Sequence, residues 1–587
     1  MKKSIIAVAV VAAGAVAYAS YLQTNPSSSD SNALLQYIPA HSPMASFQTE
    51  AYDPSVYLRA NGYAQVSVVE SIQRFQEQQA ELLASDGEYE EPEKLEFTPT
   101  EQFLIDFIDG YLRSAESSQA MQQYMGTPEK VAPVFYTLGL IPVYKIQLAD
   151  PAAFWKTVDE KEKAAGATHT TKTLGDVEYR SYELTEVEQG IKLVLSVNKE
   201  NTLTITVDAP ALDAENPLKL ALGLELPQES LATSNKIADL RAKYGQETNA
   251  FAYLDNVEIV KGLTSTDANR LARQFEIMNQ KKSAPEEFLA LRSAGCKAEL
   301  TSFANNWPRE VVAAQYGVNG ETLTMKGRFA IESNNTNMLK ALQSLRGFVP
   351  TMASDKESLF AGGVGLNVAQ LAPAITTIWN EFAQPKYTCG PLAEMQASIM
   401  EENPASMMGL VSGMLNGFEG ISANLIDMTP AAADDFGVMF DKLDGVVALT
   451  AQNPAMILQS FALFDPRLAQ LDLKPGDAPV DVSDLLASDL GEESKIKAYA
   501  QMSEHHLVIY TGDKGKKAAE KLLAEPMSEN GLVTFSMNTD RLQTIMQEED
   551  AADAADIELL GQPSGTTTFN VEDGGIVLDF DYVSKQN

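Results

Sequence analysis

The sequence predicts an α+β fold in which helices cover mainly antiparallel β-sheets. Three observations favour this class: segments in which apolar and polar residues alternate, helical segments that follow them directly, and alternating segments joined in pairs by short turns. Alternation places the apolar side chains on one face of a sheet, and that face needs a covering layer. We therefore expect sheets with one face packed under helices.

The stretch KIQLADPAAFWKTVDEKEKAAGA, Lys145 to Ala167, contains the clearest junction between a strand and a helix. Alternating residues lead up to Asp150, a residue type that caps helix N-termini well. Pro151 suits the first helical position, where its missing N–H costs nothing. Gly166 predicts the end of the helix. The sequence therefore predicts a strand that runs directly into a capped helix.

Five further junctions follow the same pattern, with an Asp or Asn between an alternating segment and a helical one. The predicted caps are Asp53, Asp255, Asn367, Asn453 and Asn538, and Glu258 and Gln370 would complete capping boxes. The stretches that begin at Asp150 and Asn453 both have the order strand-helix, hairpin, helix, strand-helix. We interpret this order as a diverged internal duplication, with residues 311–374 as a candidate shorter middle copy.

The N-terminus has the features of an export signal. Two lysines precede an apolar run, and Ala17-Tyr18-Ala19 fits the small-x-small pattern of a cleavage site. We assign residues 1–22 to a signal peptide or signal anchor and 23–32 to a polar linker. Because the uncharged residues 5–22 are also long enough to enter the inner membrane, cleavage and anchoring stay alternatives. Both predict a periplasmic chain with α+β segments at 33–300, 301–385 and 386–587.

Charge and cysteine content restrict the partners and the compartment. The chain has 44 basic and 80 acidic residues, a net charge of −36, which repels nucleic acid. Its two cysteines, Cys296 and Cys389, form an even pair in a chain expected to be exported, so we predict a disulfide between them. Two buried free thiols are the alternative.

No motif in the sequence has the spacing of a catalytic or cofactor site. GDKGKK lacks the spacing of a phosphate loop, and AGGVGLN lacks the third glycine of a dinucleotide fingerprint. The adjacent His505 and His506 would point to opposite faces of a strand, and we expect them in an exposed hairpin turn. We therefore predict no enzyme, no cofactor and no metal site.

Methionines cluster between Met395 and Met414, at intervals too irregular for copper(I) ligation. Methionine packs adaptably, so this segment is either a soft core or an apolar groove for a lipid or a partner helix. If it is exposed, it is the first candidate for a binding surface. The candidate apolar binding residues are Met407, Met408, Leu410 and Met414.

Several stretches carry a resemblance: LLQYIPAHSP (Leu34 to Pro43), DPAAFWKTVDEKEKAAG, CKAELTSFANNWPREVVAAQYGV (Cys296 to Val318) and YTCGPL. In these the chain resembles uncharacterised exported proteins of Gram-negative bacteria with repeated strand-helix units. The resemblance implies the cell envelope and no particular activity. We predict a non-enzymatic binding or scaffold protein for an envelope protein or lipid. The alternative is an envelope hydrolase with a site of dispersed carboxylates and hydroxyls.

Overall fold

The structure is a computed structural model, and it falls into two compact units. Unit 1 comprises Met1–Gly327 with Ser584–Asn587, and unit 2 comprises Arg328–Val583. The residues that the structure describes are 32–60, 63, 67–74, 97–184, 190–213, 215–280, 289–319, 322–400, 408, 412–413, 415–430, 440–462, 465, 467–468, 471, 473–485, 496–547 and 564–585.

The nine strands of unit 1 pair in the order β4-β5-β6-β7-β3-β2-β1-β8-β9. Each of these pairings is antiparallel. The strands are β1 (Met44–Gln48), β2 (Val134–Leu138), β3 (Ile141–Gln147), β4 (Thr170–Leu174), β5 (Val177–Glu183), β6 (Lys192–Val197), β7 (Thr202–Asp208), β8 (Ala250–Asp255) and β9 (Arg309–Asn319). A tenth strand, β10 (Thr322–Glu332), contains the boundary between the units.

Helices lie on both faces of the unit 1 sheet. The described helices of unit 1 include α1 (Pro54–Ala60), α2 (Pro99–Ser114), α3 (Ser118–Met125), α4 (Pro151–Ala165), α5 (Leu218–Ala221), α6 (Lys236–Tyr244), α7 (Asn256–Thr264), α8 (Arg270–Gln280) and α9 (Ala294–Asn306), with a 3-10 helix at Ala33–Tyr37. On one face, Phe103 of α2 stacks on Tyr182 of β5 with ring centroids 5.2 Å apart. On the other, Lys236 of α6 lies over the ring of Tyr253 in β8 at 4.1 Å.

Unit 2 pairs its strands in the order β14-β15-β16-β13-β12-β11-β17-β18-β19, again with every pairing antiparallel. The strands are β11 (Phe360–Gly365), β12 (Phe418–Pro430), β13 (Phe440–Ala451), β14 (Val480–Asp481), β15 (Ala498–Met502), β16 (His506–Thr511), β17 (Val533–Met537), β18 (Ser564–Glu572) and β19 (Gly575–Lys585). Antiparallel sheets with packed helices in both units confirm the predicted α+β class.

The helices that the structure describes in unit 2 are α10 (Thr336–Gln343), α11 (Leu371–Ala383), α12 (Gly390–Met400), α13 (Pro454–Phe461), α14 (Gly512–Leu523) and α15 (Thr539–Gln547). Shorter 3-10 helices lie at Thr351–Ser354, Val368–Gln370 and Ser483–Leu485. Helix α14 follows β16 directly and packs on the sheet, where Ala519 and Leu522 join the core around Val508.

Most of the predicted caps are confirmed. The Asp150 carboxylate accepts hydrogen bonds from the backbone N–H groups of Ala152 and Ala153, and Gly166 ends the helix with φ +70°. Asn453 caps α13 through the N–H of Met456. Asn538 accepts the Arg541 N–H at 3.1 Å, Asp53 accepts the Ser55 N–H at 2.9 Å, and Asp255 accepts the Glu258 N–H at 3.2 Å.

The two predicted capping boxes are not formed. The Asn367 side chain makes no cap bond; its amide donates to the Glu529 carboxylate at 3.0 Å, and α11 begins only at Leu371 after a 3-10 turn. The Glu258 carboxylate bonds Lys261 and Asn269. For Glu258 the charged Lys261 outcompetes the backbone N–H, because hydrogen bonds between ions are the stronger ones. For Asn367 the side chain is oriented by its bond to Glu529, and its Oδ1, the atom that would cap, makes no hydrogen bond.

Cys296 and Cys389 are both disulfide-bonded, which confirms the predicted pair. Residues 1–31, which include the predicted signal and all but the last residue of the predicted linker, lie outside the described part, so the export signal stays a prediction. Within the described part, none of the helices combines the length and the apolar character that a membrane crossing requires.

Candidate binding surface

The sheet of unit 2 has two unlike faces. One face is buried: Val446 and Ala448 of β13 and Val508 and Tyr510 of β16 pack with Ala519 and Leu522 of α14. On the other face, apolar side chains stay exposed. We call this the open face and define it by its six most exposed members, which are Phe360, Val364, Ile421, Val447, Phe535 and Phe569.

The strand register places these side chains together. Residues directly opposite each other in an antiparallel pair share a face, so successive partners form a row across the sheet. One such row is apolar throughout: Leu578, Phe569, Val533, Val364, Ile421, Leu449 and Leu507. The next row contains Phe580, Thr567, Phe535, Gly362, Ala423, Val447 and Ile509. The open face is therefore continuous over the strands β18, β17, β11, β12 and β13.

The exposure of the open face is large for apolar residues on adjacent strands. Val447 is 50% exposed, Ile421 49%, Phe360 44%, and Phe569 still 38%. A sheet with one face in water normally alternates apolar-in with polar-out. Here the arrangement differs: on β13 both alternating sets are apolar, and on β12 and β17 the apolar set is exposed while Ser422, Asn424, Thr534 and Ser536 are buried. The six side chains expose on the order of 400 Å² together, the size of patch that on monomers is often functional.

One end of this side of the sheet is already covered. Leu458 of α13 packs with Leu507 and Ile509 of β16 against the core around Ala500 and Met502. The open face begins beyond these residues, at β13. The covered end shows that the apolar rows of this sheet accept a helix.

A group of ion pairs lies at the end of β12 on the α14 side of the sheet, where Asp427 is opposite Asp444. Asp427 accepts hydrogen bonds from Lys514 and, at 3.1 Å, from Arg541. The hydrogen bond from Lys514 and the nearby cations lower the pKa of Asp427. Burial raises the pKa of the neighbouring Asp444, but bonds from Lys442 and from the Lys514 N–H outweigh it and lower that pKa. These carboxylates are therefore engaged within the protein.

A polar cleft of about 650 Å³ in unit 2 was the other candidate site. Its lining includes Lys442, Lys497, Lys516, Asp441, Asp513 and the stacked rings of Tyr499 and Tyr510. Lys442 pairs with Asp444 at 2.9 Å and Lys497 with Asp481 at 3.3 Å. Since two of the three lysines are paired and two aspartates also line the cleft, it offers no net positive charge to an anion.

The methionine surface predicted from the sequence is not tested by the structure. Met407, Leu410 and Met414 lie outside the described residues, and Met408 is a half-buried helical residue. The open-face residues were not predicted. Their signal was the alternation in FAGGVG, ISANLI and VVALT. It indicates which residues share a face and not which face is covered.

The expectation for His506 was wrong. The residue is 1% exposed at the start of β16. Its Nε2–H donates to the Glu525 carbonyl at 2.9 Å, and its Nδ1 accepts from the Thr450 hydroxyl at 3.0 Å. Burial lowers its pKa and favours the neutral ring. The pairing of β16 with β13 draws this side chain into the sheet, so it has a structural role.

Among the described residues, no three His, Cys, Asp or Glu side chains are grouped as metal ligands would be. No protein-family model, curated protein or solved structure matches the chain. In the part of the chain that the structure describes, the open face is a feature that fold stability does not explain.

Proposed function

We propose that this protein is a non-enzymatic binding or scaffold protein and that the open face of unit 2 is its binding surface. The observation that carries the proposal is the exposure of six apolar side chains on five adjacent strands. Leaving apolar area in water forgoes roughly 25 cal/mol for each Å², so a large exposed patch usually has a partner. The sheet presents these side chains on a rigid support.

A comparison of the two strand orders supports the proposal. The order β5-β6-β7-β3-β2-β1-β8-β9 in unit 1 matches the order β14-β15-β16-β13-β12-β11-β17-β18 in unit 2, strand for strand. In each unit one helix lies on one face of the sheet and leads into the strand that pairs with the unit's first strand: α6 leads into β8, which pairs with β1, and α14 leads into β17, which pairs with β11. In unit 1 the other face carries α2 and α4. In the described part of unit 2, α13 covers one end of the corresponding face and the open face lies beyond it.

We also propose that the two units arose by internal duplication, a proposal that the matching strand order supports. The match concerns whole units and gives no separate support to a shorter copy at residues 311–374. Duplication explains why an apolar face persists in unit 2. A sheet whose ancestor carried helices on both faces retains apolar residues on both.

We propose a periplasmic location, with residues 5–22 as a cleaved signal or an inner-membrane anchor. The apolar run at the N-terminus supports this proposal, as does the resemblance to exported proteins of Gram-negative bacteria. The disulfide between Cys296 and Cys389 supports it too, because such bonds persist in oxidising compartments such as the periplasm.

The test is site-specific photo-crosslinking of the full chain in bacterial cells. A photoreactive phenylalanine analogue replaces Val447 on the open face or, as the matched control, Lys517, an exposed residue of α14 on the opposite side of the sheet. We expect one discrete adduct from position 447, identified by mass spectrometry, and none from position 517. No adduct at 447, or the same adducts from both positions, would contradict the proposal.

A further inference from the structure

We infer that the open face seats one amphipathic α-helix of a polypeptide partner and that the polar side of this helix carries lysine or arginine. The inference rests on the proposed function and specifies the partner. It follows from the dimensions of the face, from the packing in unit 1, and from the charge of the chain.

The dimensions fit one helix. Neighbouring strands lie about 4.8 Å apart, so the five strands from β18 to β13 span about 19 Å. Along β11, the open face runs from Phe360 to Val364, about 13 Å. A helix is about 10 Å wide and rises 1.5 Å per residue, so one helix of about 13 residues that crosses the strands covers the face. Helices α2 and α4 of unit 1 have 16 and 15 residues.

Unit 1 shows how a sheet of this strand order holds such helices. Phe103 of α2 is 1% exposed and stacks on Tyr182 of the sheet. Phe107, one turn further along α2, meets the buried Phe154 of α4 with ring centroids 6.1 Å apart. Residues four apart share a helix face, so each helix presents a narrow apolar side and keeps its charges outside. The open face offers the same kind of apolar surface.

Two other occupants fit less well. An acyl chain is apolar on all sides and is held in cavities that bury most of its surface, whereas an open sheet covers only one side. A second copy of this chain would need about 800 Å² of interface on each partner for a stable dimer. The apolar area of the open face is about half of that. A helix needs only its apolar side covered and leaves its polar side in water.

The net negative charge of the chain determines which charge we expect on the polar side of the bound helix. At a net charge of −36, the protein attracts cationic segments and repels anionic ones over distances set by the ionic strength. The charged groups at the end of β12 are already paired with one another. A helix with lysine or arginine on its outer side is therefore steered to the face, and one with glutamate there is repelled.

The experiment measures binding of defined probes to the full chain. The probes are a fluorescent 14-residue leucine/lysine peptide with helical periodicity, a leucine/glutamate peptide of the same pattern, and the leucine/lysine composition in scrambled order. Vesicles of phosphatidylglycerol and phosphatidylcholine test lipid. The binding variant is Val447→Gln with Phe535→Gln, two exposed positions, and Lys517→Gln is the control. Circular dichroism and the melting temperature establish that each variant is folded.

We expect the periodic leucine/lysine peptide to bind wild type and Lys517→Gln equally and the double variant at least tenfold more weakly. The glutamate and scrambled peptides should bind at least tenfold more weakly to all three.

If the glutamate peptide binds as tightly as the lysine peptide, the inference that the polar side of the helix carries lysine or arginine is wrong. Vesicle binding that needs Val447 and Phe535, without peptide binding, would overturn the helix and leave the open face as a binding surface. If the wild-type protein is a dimer and the double substitution dissociates it, the open face binds a second copy of the chain, and the inference of a partner helix is wrong. Failure of every probe together with the absence of a crosslink at position 447 would overturn both the inference and the proposed function.

Discussion

Lys145 provides the sharpest test of the structure of unit 1. Its side chain is fully buried on the central strand β3, where the amine donates to the Thr204 hydroxyl at 2.8 Å and lies over the Tyr37 ring at 4.4 Å. Burial lowers its pKa from 10.5 to about 7, because the charged form loses its hydration. We predict that Lys145→Met stabilises the protein at neutral and acidic pH.

The size of the effect follows from the two pKa values. Between about pH 7 and 10.5 the unfolded chain keeps a proton on this amine that the folded chain has released, so stability rises with pH over this window. Below pH 7 the cost is fully present. A pKa difference of about 3.5, at 1.36 kcal/mol per unit, corresponds to about 5 kcal/mol. The Lys145→Met variant loses the hydrogen bond to Thr204, which costs about 1 to 3 kcal/mol, and the contact of the amine with the Tyr37 ring, which costs about 1 kcal/mol. The net gain at pH 6 is about 1 to 3 kcal/mol.

The assay is urea unfolding of wild type and Lys145→Met at pH 6 and pH 10, followed by circular dichroism. Lys130→Met is the control, since Lys130 is an exposed residue. We expect the variant to be more stable at pH 6 and to lose this advantage by pH 10, while the control differs from wild type by less than about 0.5 kcal/mol at both. A variant less stable than wild type at pH 6, or a difference that does not change with pH, would refute the burial of an unpaired charge at this position.

Two further predictions concern local structure. In denatured but unreduced protein, a thiol-labelling reagent should modify neither Cys296 nor Cys389 and should modify both after reduction; labelling before reduction would show that the bond is absent. Asp150→Ala should lower the free energy of unfolding by about 1 kcal/mol, because two backbone N–H groups at the start of α4 lose their acceptor. The control Asp150→Asn should retain most of the stability. An unchanged urea midpoint for Asp150→Ala would mean that this cap contributes nothing.

Features decided by neighbours in the chain were predictable. The helix from Pro151 to Ala165 begins and ends where its capping residues place it. The cysteine pair followed from an even count in a chain with an export signal. Asn367 is an exception: its local pattern predicts a cap, yet its amide donates to Glu529, far away in sequence, and its Oδ1 accepts no backbone N–H. Local rules fail where a residue from another part of the chain binds and orients the side chain.

The sequence by itself determined the α+β class, five of the six predicted caps and the sharing of faces along each strand. The tertiary structure decided which faces are covered. Lys145 alternates with Tyr144 and Ile146 and has the pattern of a solvent-facing residue, but the 3-10 helix at Ala33–Tyr37 covers it. Val447 has the pattern of a core residue and stays exposed. Alternation is set by backbone geometry over two residues, whereas burial depends on elements a hundred or more residues away that pack on the sheet or leave it open.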